Sequence, residues 1–180
     1  TFRDAARMAQ AARKTPMLDG SGLKHTLERN AIRLLEPQIG WKDKKVLIPS
    51  AVDRFGLAEA LDAAGARTLF GDLIFGLGLP IPLYRLSLLQ KIAYILLPII
   101  TQLPFQWLYP TGEKQEKEVR GWRQRYFEWA DVVAGDWHFM RRFMPPSMQG
   151  KIILTNTTTP EDIEFMRARG IAKLITTTPR

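Results

Sequence analysis

The chain has 180 residues, 46% apolar and 24% charged, which suits one globular domain with a proper core and excludes a disordered one. It contains no cysteine, so disulfide scaffolds, thiolate metal sites and cysteine nucleophiles are ruled out, in keeping with a reducing, cytoplasmic setting. The net charge of +8 is gathered mainly in residues 1–45 and no arginine-rich run occurs, so it reads as a solvated basic surface rather than a nucleic-acid site.

Residues 2–13 have helical periodicity, with Phe2, Ala5, Ala6, Ala9 and Ala12 on one side, and Lys14-Thr15-Pro16 breaks it. After "DGSG" at Asp19–Gly22 a second helix is expected over about 22–36. It would bury Leu23, Leu27, Ala31, Leu34 and Leu35 and stop before Pro37. These helices, within residues 1–43, are expected to link to a preceding domain. The chain opens on Thr1-Phe2-Arg3 and stops just after a predicted strand, as a piece of a longer protein would.

From residue 44 the pattern alternates. Strands are expected near 45–49, 67–71, 131–135, 151–155 and 172–176, and helices near 56–64, 114–129 and 160–169. Short apolar strands interleaved with helices point to an α/β domain over residues 44–180. We expect a Rossmann-like, doubly wound, mainly parallel sheet of about five strands, ordered 3-2-1-4-5 or 2-1-3-4-5. An apolar insertion, residues 76–110, interrupts the rhythm. Pro98 and Pro104 argue against a membrane-spanning helix, so it is expected to be a lid or a self-association arm, with interfacial membrane contact as the lesser alternative.

In an open parallel sheet, ligands bind outside the carboxyl ends of the strands, so the residues just after each strand are the candidates. After the first come Ser50, Asp53, Arg54 and Gly56, where a Gly-x-Gly-x-x-Gly loop would hold a pyrophosphate. Asp53 either caps the following helix or meets a ligand, and Arg54 either pairs with an acid or meets a phosphate. Asp72 ends the second strand where a ribose-binding acid would stand. "GDWH" follows the third strand and offers His138 as an acid/base candidate. Asn156 and Thr157 follow the fourth, where they either stabilise the turn or bond the ribose or nicotinamide of NAD or NADP. Thr159-Pro160-Glu161-Asp162 reads as a helix start, and "ITTTPR" suggests another near residue 179. No H-x-x-x-H or H-E-x-x-H pair, Gly-x-Ser-x-Gly or Walker lysine motif occurs, so zinc, hydrolase and P-loop chemistry find no support.

The strings "DGSGLKHTLER", "VLIPSAVDRFGLAEAL", "FGDLIFGLGLPIPL", "LPFQWLYPTGEKQE" and "TNTTTPEDIEFMRARGIAKLITTTP" resemble prokaryotic proteins labelled quinate or shikimate 5-dehydrogenase-like, over roughly residues 15–180. That resemblance implies a Rossmann-like cofactor domain of a longer protein. It leads to the expectation of an oxidoreductase using NAD or NADP on a small hydroxy or keto compound. The alternative from a different class is a non-catalytic Rossmann-like ligand-binding or assembly module that self-associates through the 76–110 arm.

Overall fold

A computed structural model describes residues 7, 9–14, 16, 21–100 and 121–178. Most of the expected 2–13 helix, the 101–110 part of the insertion, the 114–120 part of the third expected helix and the helix start near 179 lie outside the described residues. The elements are α1 (Ser21–Ile39), β1 (Lys45–Ile48), α2 (Phe55–Ala63), β2 (Arg67–Phe70), α3 (Leu86–Ile100), α4 (Gln124–Trp129), β3 (Val132–Gly135), α5 (Trp137–Phe143), β4 (Ile152–Thr155), α6 (Pro160–Ala168) and β5 (Lys173–Thr176). All five strands pair in parallel, in the order β2-β1-β3-β4-β5. This is the second of the two expected orders, and it places the topological switch point between β1 and β3.

Alternation along the strands feeds two hydrophobic layers. Val46, Ile48 and Phe70 pack with Ile32 of α1, Leu57 and Leu61 of α2 and Leu89 of α3. Leu47, Leu69, Val133 and Ile153 point the other way, against Phe127 of α4, Trp137, Met140 and Phe143 of α5 and Met166 of α6. Both faces are therefore covered, as a parallel sheet with short crossovers requires.

α1 departs from its expected course in two ways. It continues through Pro37, which lacks the N–H that would bond back to Arg33 O, and ends at Gly40, where φ is 63° and the amide donates to Glu36 O at 2.9 Å. Its inward face is Glu28, Ile32, Leu35 and Ile39; of the expected stripe Leu35 packs on the core and Ala31 is half-buried, whereas Leu27 and Leu34 are 40% and 69% exposed and the Leu23 side chain lies outside the described residues. The wholly buried Trp41 fastens the far end by donating its indole N–H to Ile32 O at 2.8 Å. α5 is an addition. Asp136 is its N-cap, accepting from Phe139 N, and Arg141 and Arg142 occupy its last turn. The start of α6 is as expected: Thr159 caps, Pro160 opens the helix and Asp162 closes a capping box.

The two "GD" steps use glycine for different reasons. Gly135 has φ of 152°, a conformation that side chains resist. Gly71 has an ordinary φ of −95°, but a Cβ there would lie 2.5 Å from the Phe75 ring and 3.1 Å from Pro49 Cα. Phe75 is itself locked edge-on against Phe127 and Tyr126. Gly71→Ala is expected to cost about 1–3 kcal/mol by overpacking, read as a lower urea midpoint; an unchanged midpoint would mean that Phe75 has room to yield.

Candidate functional site at the switch point

The switch-point crevice is built from the turn after β1. Pro49, Ser50 and Ala51 lead into a 3-10 turn at Val52–Arg54, from which α2 starts at Phe55. Ala51 is fully buried, and its carbonyl accepts from Arg54 N at 2.9 Å. Gly56 lies buried in the first turn of α2, inside the helix rather than in a loop. The turn aims the Ala51 and Val52 amides at one point.

Asp72 occupies that point. β2 lies beside β1 in a register that sets Phe70 opposite Ile48, so the residues following both strands meet at one rim. The Asp72 carboxylate bridges the turn, with Oδ2 accepting from Ala51 N at 3.1 Å and Oδ1 from Val52 N at 2.9 Å. Burial raises its pKa above the usual carboxylate value of 3.8. The two amides oppose the rise and the charge of Asp53 adds to it.

A second carboxylate sits at the N-terminus of α2. Glu28 of α1, 3% exposed, accepts from Leu57 N at 3.1 Å through Oε2 and from Arg54 Nη1 at 2.9 Å through Oε1. Arg54 is 9% exposed. Its Nη2 lies 3.6 Å from Asp136 Oδ2, and its Nε lies 3.9 Å from Asp53 Oδ2 without a hydrogen-bond acceptor. One guanidinium thus stands among the carboxylates of Glu28, Asp53 and Asp136, with Asp72 on the same turn. Together these make the crevice acidic in sum.

The network crosses to β3 and β4. Asp136 Oδ2 accepts from Asn156 Nδ2 at 2.9 Å, Asn156 Oδ1 accepts from Trp137 N at 3.2 Å, and the Thr155 hydroxyl donates to Gly135 O at 2.9 Å. Among the expected site residues, the structure pairs Asp53 with Arg54, links Arg54 to Asn156 through Asp136 and sets Asp72 against the turn between Ser50 and Asp53. Ser50 and Thr157 are half-buried beside these groups. His138 is exposed on the first turn of α5, and no hydrogen bond or ion pair among the described residues ties it to the network. Glu28 and Asp136 were missed as site residues. The signal for Glu28 was its place on one helical face with Ile32, Leu35 and Ile39; for Asp136 it was a capping position just after a strand.

Among the described residues no group of three or more His, Asp or Glu side chains could hold a metal ion, and no helix is long and apolar enough to cross a membrane.

Fold and crevice together define a Rossmann-like parallel α/β domain whose first turn carries its own carboxylates. The chain belongs to the family described as "Domain of unknown function (DUF8754)", whose model matches residues 22–180. No curated protein and no solved structure matches it.

Proposed function

We propose that this chain is a non-catalytic, cytoplasmic Rossmann-like module in which the place of a nucleotide pyrophosphate is taken by the protein's own carboxylates. The observation that carries this reading is Asp72, whose two oxygens use the Ala51 and Val52 amides that a phosphate would need. A dinucleotide would have to displace that carboxylate and then meet Asp53, Glu28 and Asp136 with Arg54 as the cation already paired to Glu28. Like charges at such range in a partly dry crevice oppose binding. Calorimetric titration with NAD, NADH, NADP and NADPH should therefore give no heat of binding. Micromolar binding that weakens on Asp72→Ala would overturn the reading.

Assembly is the use that the surface favours. Leu77, Leu79, Ile81, Tyr84, Leu88, Tyr94 and Ile95 expose large apolar side chains, Tyr94 by 84%, on or just before α3. Self-association through this arm would cover them. Charged replacements at Tyr94 and Ile95 are expected to convert an oligomer into soluble monomer in light scattering; an unchanged mass would count against the arm.

A second reading keeps the dehydrogenase expectation from the quinate and shikimate 5-dehydrogenase-like resemblance. What favours it is the switch point itself, where parallel sheets hold nucleotides, with Asn156 and Asp136 on its far side. It requires Asp72 to leave the Ala51–Val52 turn before NAD or NADP can bind.

A further inference from the structure

We infer that the loop leading into α3, with Leu77, Leu79 and Ile81 at its surface, docks on a bilayer that carries anionic lipids, without crossing it. The inference goes beyond the proposed function, which is tested at Tyr94 and Ile95 on the second half of α3 and leaves this loop to another contact.

Three observations carry it. First, the loop presents apolar side chains and keeps its backbone donors to itself. Leu77, Leu79 and Ile81 are 50%, 43% and 49% exposed. Leu79 N donates to Leu73 O at 2.8 Å, Ile81 N to Leu79 O at 2.8 Å and Leu83 N to Phe70 O at 3.4 Å. Pro80 and Pro82 have no N–H. From Leu79 to Leu83 every amide donor is therefore bonded within the chain or absent, as an apolar medium demands. Second, the loop is shaped before it meets a partner. Leu83 bridges Phe70 at the β2 edge, and Tyr84 stands edge-on to Trp129 with ring centroids 6.4 Å apart. Little ordering is left to oppose docking. Third, charge selects the partner. No Asp or Glu occurs from Leu73 to Gly112. Arg85 and Lys91 are exposed, and neither pairs with an acid among the described residues. A second copy seated on the loop would bring these cations together with no acid between them, whereas anionic headgroups neutralise them. Tyr84, 57% exposed beside Arg85, is a side chain that settles at headgroup depth.

The test floats the full chain with vesicles of phosphatidylcholine alone and of phosphatidylcholine mixed with phosphatidylglycerol. The chain should rise with the anionic vesicles only, and added sodium chloride should release it. Leu79→Asp combined with Ile81→Asp is expected to weaken this binding at least about tenfold, and Arg85→Glu by a similar factor. These positions are exposed, so the urea midpoints should stay near that of the wild type. Should the double variant not fold, Arg85→Glu carries the test. A folded wild type that stays below the anionic vesicles overturns the inference. So does flotation that the Leu79 and Ile81 replacements leave intact, because that binding would belong to the basic surface at large. If those replacements instead lower the oligomer mass in light scattering while vesicles bind nothing, the loop is covered by a second copy rather than by lipid. Nicotinamide cofactor binding to the wild type would sink the proposed function and leave the flotation result standing.

Discussion

Arg54→Met is expected to lower the unfolding free energy by about 3–5 kcal/mol, because it strands a buried carboxylate without its cation. Glu28 is 3% exposed and sits 2.9 Å from Arg54 Nη1, so water cannot take over the lost charge. Asp53 and Asp136 would lose the same neighbour. Adding Glu28→Gln to Arg54→Met should recover part of the loss, since the amide oxygen still serves Leu57 N and no buried charge remains. Urea unfolding of the two single variants and the double measures the coupling. A loss within about 0.5 kcal/mol for Arg54→Met would describe a surface arginine and contradict the buried pair.

Asp72 gives the second large effect, and its sign depends on pH. Asp72→Asn keeps one oxygen for one amide of the Ala51–Val52 turn and presents N–H donors to the other. Leaving that donor unmatched in a partly buried turn should cost about 1–3 kcal/mol. Burial raises the folded pKa above 3.8, so the folded chain binds a proton more tightly than the unfolded one. The stability that Asp72 gains from protonation is fully present below 3.8 and is lost as pH rises through the raised value. The wild type's advantage over Asp72→Asn should accordingly be larger in acid than at neutral pH. Urea unfolding of both proteins at the two conditions checks this; an advantage that grows toward neutral pH would mean that the amides outweigh burial.

Much of the fold was legible because strands and crossovers leave local signals. All five strands fall within a residue of their expected bounds, and Thr159-Pro160-Glu161-Asp162 starts α6 as its capping chemistry requires. α1 was harder, since apolar side chains lie on both its sides. Leu27 and Leu34 look like a core stripe until Ile32 and Trp41 are placed in three dimensions. α5 is only seven residues long and has little periodicity to show.

The candidate site was legible in location and less so in wiring. Ser50, Asp53, Arg54, Asp72 and Asn156 follow strand ends, and a parallel sheet brings such positions to one rim whatever they do there. Their partners are set by register and by distant helices. Arg54 finds Glu28 26 residues away in sequence, and Asp72 reaches back 20 and 21 residues to Val52 and Ala51. Local spacing suggested a ribose for Asp72, while the neighbouring turn supplies two amides closer to hand.

The most direct test follows the Ala51 and Val52 amide resonances of the full chain in nitrogen–proton spectra through an acid titration, with and without pyrophosphate and NADPH. The self-filled crevice predicts that both amides move together, with a shared midpoint above 3.8, and that neither ligand shifts them at neutral pH. Amides that titrate independently of Asp72, or that move when pyrophosphate or NADPH is added, would return the turn to nucleotide binding.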